Sequence, residues 1–504
     1  MIDSLCILGG GTSGMVSALM LNKAWPELKI TLIESSQIGI IGVGEGSTEH
    51  WSKFMKQAEI SVFELIEHCG TTYKMGIKFT NWHGDGTHYF HSLSEQYGPH
   101  SPFNGIPYVL DKMISNNIDP LNTVWELSQQ SRHVEPLHDI FAQYHFDTNK
   151  LNSFFHRKCT ERGITIIDKE IADVVLDDSG YVKHLVDKDS NIHAFDFFID
   201  CSGFKRVIGS KLGVKWIDCS EELPMNSALA FPTAYKEDIP SYTEATALSS
   251  GWVWRIPTQD RFGNGYVFCD QFINETEAYD EVSQHYRENL GITEELQIGK
   301  RVKFSAGYVD KFWIKNCAMV GLSSMFVEPL EASSIGTTIQ QTFSLLPSLY
   351  HYERGEDKTP AMYNTMITAI AKNIVDFIQL HYFTERNDTA FWQWCKNNIK
   401  LTEFNKDNLD YFKKQGVNPQ YFNTPLILFG HMNYMQIMHA LRMFNTDIQK
   451  DRYQKHMSKK YDPIVQSILD EDRRYMTDVP SWSHREAIEI IKERGRNSEI
   501  KYKF

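Results

Sequence analysis

The chain has 504 residues, 42% of them hydrophobic and 23% charged, which is too long for one simple core and ordinary for a globular protein of two or three lobes. With 64 acidic against 51 basic side chains, a formal net charge of -13 and no basic cluster able to follow a phosphate backbone, nucleic acid is excluded as a partner. The first residues lack a basic leader, no apolar run approaches the roughly 18 residues that span a bilayer, and the eight cysteines form no CxxC pair; the expectation is a cytoplasmic protein with reduced thiols, no membrane association and no metal.

In chain order, the apolar run Leu5 to Leu8 meets Gly9-Gly10-Gly11-Thr12-Ser13-Gly14, and a helical pattern follows. This predicts strand, glycine turn and helix. Gly9, Gly11 and Gly14 satisfy G-x-G-x-x-G, whose missing side chains permit the turn, the approach of a pyrophosphate and close packing of helix on strand. A second strand, Lys29 to Ile33, ends at Glu34, where an acid would hold a ribose hydroxyl. The glycine-rich run containing Gly42, Val43, Gly44 and Glu45 predicts a loop lying close to a ligand. Ser61 and Glu64 form a capping box ahead of a helix. From Tyr73 to Trp82 alternation suggests a strand with Lys78 opposite Ile77 and Phe79, and His91 follows among aromatic residues.

Residues 151–162 have helical spacing, 164–167 and 171–175 read as strands, and the apolar strand 195–199 ends in a second glycine corner at Gly203. Residues 220–310 read as a second sheet, in which Trp252 and Trp254 share a face. After the strand 316–321, closed by Gly321, comes Met325-Phe-Val-Glu-Pro-Leu-Glu-Ala-Ser-Ser-Ile335. Ile335, Ile339, Phe343 and Leu346 mark a buried helical face, so Ser333 and Ser334 stand at a helix start, where free N–H groups favour an anion. By themselves such serines are helix caps. Beyond 340 the chain is mainly helical.

Together these motifs resemble the flavin-dependent tryptophan halogenase family. The points of resemblance are the Gly9 to Gly14 turn, Gly42-Val-Gly44-Glu45, Ile77-Lys78-Phe79 with Asn81-Trp82, Asp200-Cys-Ser-Gly203-Phe204, Trp252-x-Trp254-x-Ile256-Pro257, Asn316 to Gly321 and Phe326-Val-Glu-Pro-Leu-Glu331. The similarity runs from residue 1 to about 440, and Trp-x-Trp-x-Ile-Pro is its most diagnostic part, because hydroxylating flavin monooxygenases share the glycine turn and lack it.

The resemblance implies an α/β fold: an FAD-binding Rossmann-like lobe of glutathione reductase type (1–50, 145–215 and 310–345), a β-sheet substrate lobe (50–145 and 215–310) and a mainly helical C-terminal region (345–504). It implies FADH2-dependent halogenation of an indole- or phenol-type substrate through flavin hydroperoxide and hypohalous acid. FAD would arrive reduced from a separate flavin reductase, since no second dinucleotide fingerprint is present, and the halide would be chloride, bromide or iodide. Gly9, Gly11, Thr12, Ser13, Gly14, Glu34, Gly42, Val43, Gly44, Glu45, Gly321 and Ile335 would bind the cofactor, and Ser333 and Ser334 the halide.

Lys78 would meet the oxidised halogen, Glu331 would steer the hypohalous acid or take the ring proton, and Trp252 and Trp254 would wall the flavin side. His91, Leu93 and Tyr434 would face the substrate. Three positions depart from the family pattern: Ala332 replaces a serine, Leu93 an aromatic ring and Tyr434 a tryptophan. Alternatives are a hydroxylating flavin monooxygenase and a flavin-binding module without catalysis; a homo-oligomer stays open.

Overall fold

The computed structural model describes residues 2–39, 45–92, 132–134, 143–235, 238–422, 427–456, 458–460, 462–463, 467, 470 and 481–497. A six-stranded sheet runs in the order Trp313–Ile314, Cys317–Met319, Phe197–Asp200, Ser4–Leu8, Lys29–Glu34, Thr165–Asp168. All its pairings except the first are parallel, with Ile7 between Leu32 and Ile199. Such a sheet is covered on both faces, which explains why Leu5 to Leu8 is apolar without alternation. The helix Thr12–Ala24 leaves the first strand through the glycine turn and packs on Ser333–Glu353 and Thr148–Glu161. Hydroxyl pairs at 3.0 Å, Ser13 with Thr338 and Ser17 with Thr342, join Thr12–Ala24 to Ser333–Glu353. The predicted strand, turn and helix, the strand ending at Glu34 and the Ser61/Glu64 capping box are all present.

A seven-stranded sheet forms the other lobe, in the order Lys300–Lys303, Ser227–Thr233, Phe262–Phe268, Gly251–Pro257, Thr243–Ala247, Gly76–Thr80, His88–Ser92. Its register sets two faces. Thr243 is opposite Ile77 and Ala245 opposite Trp254, while Glu244 is opposite both Lys78 and Arg255. A small antiparallel sheet, Glu45–Gly46, Gln143–Phe146 and Thr72–Lys74, connects the lobes. The helices Thr359–Leu380, Ala390–Asn398, Glu403–Gln415 and His431–Ala440 lie beyond Ser333–Glu353. The helix His484–Arg496 returns to the small sheet, where His484 Nε2 accepts the Tyr73 N–H at 2.9 Å. Among the described residues no helix is long and apolar enough to cross a membrane.

The glycine turn divides its labour. A Cβ on Gly14 would stand 1.9 Å from the Gly9 carbonyl oxygen, whereas one on Gly11 would meet nothing within 4 Å. Gly14→Val is therefore expected to cost about 1–3 kcal/mol by overpacking. Thermal unfolding should show this as a lowered midpoint, with Gly11→Ala leaving the midpoint near that of the native protein.

Candidate functional site

The turn Gly9 to Gly14 is shaped for a dinucleotide. Gly9 has φ +122°, and a side chain there would strike the Cys201 carbonyl. The helix it feeds has Gly11 as N-cap, no side-chain cap and no acid in its first turn, so its N–H groups and positive dipole end remain available to a pyrophosphate. Glu34 folds back over Gly10, where a Cβ would lie 1.7 Å from its Oε2, and its other oxygen is 3.2 Å from His156 Nε2. Burial pushes its pKa up, and His156 opposes that. Ser13 Oγ packs where a Gly321 side chain would be, so Gly321, at φ +71°, gives Ser13 its room. The vacancy beside Gly11, the uncapped helix and the acid at the second strand's end fit FAD.

Glu331 is the centre of a second site. It and Ala332 both adopt left-handed backbone, with φ 66° and 53°, a costly conformation for two consecutive residues with side chains. The kink separates two functions: the Glu331 side chain turns into the protein while the helix Ser333–Glu353 starts afresh at Ala332 without a side-chain cap. Both Glu331 carboxylate oxygens lie 2.8 Å from His91 Nδ1, and Oε1 lies 2.9 Å from His381 Nε2.

The hydrogen positions follow from the next partners out. Asn433 Oδ1 accepts the Gly430 N–H, which turns Asn433 Nδ2 toward His91 Nε2 at 3.3 Å. His91 thus accepts there and donates from Nδ1 to Glu331. His381 lies between the Phe377 carbonyl, 3.1 Å from Nδ1, and Glu331, to which its Nε2 is turned. Burial pushes the Glu331 carboxyl up, but His91 and His381 more than offset it and hold the group well below the usual carboxylate range.

Lys74 closes this centre. It is fully buried, and its Nζ donates to the Ser47 carbonyl at 3.0 Å. Gly46 lies between it and Ala332: a Cβ on Gly46 would be 3.2 Å from Lys74 Nζ and 3.6 Å from Ala332 Cβ. Burial lowers the Lys74 pKa to about 8, with Glu331 and Glu49 pulling the other way.

Lys78 does not converge with Glu331. Its Nζ is 3.9 Å from Glu244 Oε1 and 5.7 Å from the Tyr242 ring centre, and Glu244 is also bound by Arg255 at 3.0 Å. This charged cluster occupies the sheet face opposite Ile77, Ala245 and Trp254.

Those three residues line a cavity of about 210 Å³ between the sheet and the start of Ser333–Glu353. Trp252 and Trp254 form part of one wall, with ring centres 6.3 Å apart, and Gly46, Glu331, Ser333, Ser334, Ile335 and Gly321 also border it. The serines, the tryptophans and Glu331 thus border one space, and Lys78, expected to converge with Glu331, does not border it. Tyr434 also falls elsewhere. Its ring is fully buried against Phe377, Phe404 and Phe422 at 5.0–5.7 Å, and its neighbour Asn433 is the residue that reaches His91. Gly42, Val43, Gly44 and Leu93 lie outside the described residues, as does the Glu45 side chain.

The family model for tryptophan halogenase matches residues 4–458. The chain belongs to the tryptophan halogenase family. It is 30% identical over 429 residues to tryptophan 6-halogenase SttH of Streptomyces toxytricini, covering 78% of this chain and 81% of that enzyme. Among solved structures, Xcc4156, a flavin-dependent halogenase from Xanthomonas campestris, superposes with a TM-score of 0.83 at 27% identity, over 97% of this chain and 98% of that one. A tryptophan halogenase from Shewanella frigidimarina shares the fold at a TM-score of 0.88 and 23% identity, over 98% of both chains. The family makes this protein a flavin-dependent halogenase built on an FAD-binding α/β fold.

For this halogenase, reading the sequence alone missed Lys74, His381 and Asn433. A signal for Lys74 was present: it stands between Tyr73 and Met75 with no polar neighbour before Lys78, a poor setting for a solvated lysine. His381 and Asn433 carry no local signal. The buried ammonium has a measurable consequence. Its folded pKa of about 8 lies below the ordinary 10.5, so between these values the unfolded chain binds more protons and stability rises with pH. Below pH 8 the full penalty, about 3 kcal/mol, is present. Lys74→Met should raise the thermal midpoint at pH 7, and the gain should shrink between pH 8 and 10.5.

Proposed function

We propose that this halogenase acts on an electron-rich indole- or phenol-type substrate, with Lys74 and Glu331 as the residues that receive hypohalous acid and Ser333 and Ser334 as the halide site. The observation that carries this reading is a buried lysine held beside Gly46 and within the electrostatic reach of Glu331, where Gly46, Glu331 and an uncapped helix start all border one cavity. FAD, held at the Gly9 to Gly14 turn and Glu34 and supplied reduced by a separate reductase, provides the electrons that let oxygen oxidise a halide ion. The first N–H groups of Ser333–Glu353 have no intrahelical acceptors and offer the halide an anion site.

Trp252 and Trp254 keep the organic substrate out of that cavity, which favours halogenation over hydroxylation. Hypohalous acid then meets Lys74, still mainly an ammonium at neutral pH, whose N–H donates to the oxygen and leaves the halogen more electrophilic. Glu331, kept ionised by His91 and His381, accepts the O–H and fixes the orientation; it is also the nearest base for the proton that the ring gives up. Ala332 has no hydroxyl, so no side-chain relay links Glu331 to the helix start.

The test supplies reduced FAD, oxygen and each halide with a panel of indoles and phenols, and follows halogen incorporation by mass spectrometry. Lys74→Ala should lower halogenation by at least about a hundredfold, as the loss of a key electrostatic donor does. Lys78→Ala should stay within about threefold, because Lys78 belongs to an ion pair on the sheet face away from the cavity. The reverse ranking sinks the assignment. Oxygen insertion without halogen in the native protein would instead support the hydroxylase.

A further inference from the structure

The same cavity holds a second buried carboxyl group that Lys74 and Glu331 leave unused. Glu328 is fully buried in the cavity wall, three residues before Glu331. Its Oε1 accepts from Trp252 Nε1 at 3.0 Å and from the Tyr382 hydroxyl. Among the described residues, Oε2 has no hydrogen-bond partner. The titratable groups that interact with it are Tyr382 and the Cys395 thiol, while Lys300 and Glu331 border the same cavity without acting on its carboxyl.

A bare carboxylate there, without a counter-ion, would carry a desolvation penalty of several kcal/mol. Both donors occupy Oε1, so the hydrogen of the neutral acid belongs on Oε2. Burial, opposed by the two hydrogen bonds, raises the Glu328 pKa to about 7, where a group can both hold and give up a proton.

Halide oxidation needs a proton. Reduced FAD, oxygen, a halide ion and one proton become oxidised FAD, hypohalous acid and water, so every turnover draws a proton into a chamber walled by apolar groups. We propose that Glu328 is the proton donor of the flavin-side cavity, carrying its hydrogen on Oε2 and delivering it as halide is oxidised. The Oε2–H bond breaks, the proton goes to the oxygen that leaves as water, and the electron pair stays on the carboxylate. The resulting charge is met at once by the two donors already on Oε1. Reprotonation from solvent between turnovers restores the acid. Trp252 thus has a second duty beside walling the cavity: its indole N–H stabilises the spent donor.

This inference rests on the halogenase reading above, so its test includes a measurement that needs no turnover. Glu328→Gln keeps an acceptor for Trp252 and Tyr382 but has no acidic hydrogen. Infrared spectra of the FAD-bound protein, without halide or substrate, should contain a protonated-carboxyl stretch that shifts in D2O, fades as pH rises through about 7 and is missing in Glu328→Gln. Asp376, also buried and pushed up to about 7, contributes a similar band, so the difference spectrum carries the assignment. Halogenation by Glu328→Gln should fall about a hundredfold, with hydrogen peroxide released instead and the thermal midpoint unchanged.

Should that variant fail to fold, Glu328→Asp should displace the band rather than abolish it and keep part of the activity. A difference spectrum without the carboxyl band, or Glu328→Gln halogenating at the native rate, overturns the proposal. A native protein that shows the band but never halogenates would refute the halogenase reading instead.

Discussion

The arrangement depends on one buried charge. Glu331 is buried beside the cavity, and the N–H groups of His91 and His381 keep its carboxylate ionised. Three distant stretches must meet to supply those donors: the edge strand His88–Ser92, the end of Thr359–Leu380 and, through Asn433, the start of His431–Ala440. Each is held by its own packing, so the carboxylate works as a gauge of correct assembly. Removing either histidine would take one of these donors from a buried carboxylate, which costs about 1–3 kcal/mol.

The backbone around this charge explains why the segment is strained. An ordinary helical path from Leu330 onward would carry Glu331 along the helix surface. Two successive left-handed residues break the path, aiming the carboxylate inward and leaving the next helix to begin with open N–H groups beside the cavity. An uncapped helix start and an anionic side chain therefore stand next to each other at the border of one cavity, with the carboxylate oxygens turned toward His91 and His381 rather than toward the helix N–H groups.

The elements set by local chemistry could be read from the sequence. The glycine turn, the strand ending at Glu34, the Ser61 capping box and the shared face of Trp252 and Trp254 follow from residue type and period. What could not be read is which face of a strand becomes the inside. Alternation correctly put Lys78 opposite Ile77, yet the cavity belongs to the Ile77 face, and that is decided by the pairing of Gly76–Thr80 with Thr243–Ala247, 167 residues onward from Gly76 to Thr243. Lys74 sits on a strand of only three residues, Thr72–Lys74, too short for any period, and its burial comes from Gln143–Phe146 and Gly46. His381 meets Glu331 across 50 residues with nothing local to announce it.

The bond from Tyr73 to His484 has a further consequence. It joins the strand of Lys74 to a helix 411 positions away, through a histidine that must stay neutral to accept, and whose pKa burial lowers to about 4. During synthesis, the dinucleotide lobe and both sheets can form before residue 484 leaves the ribosome, but the lysine's strand then lacks one of its supports. The last helix among the described residues thus completes the support of the strand that carries the buried lysine.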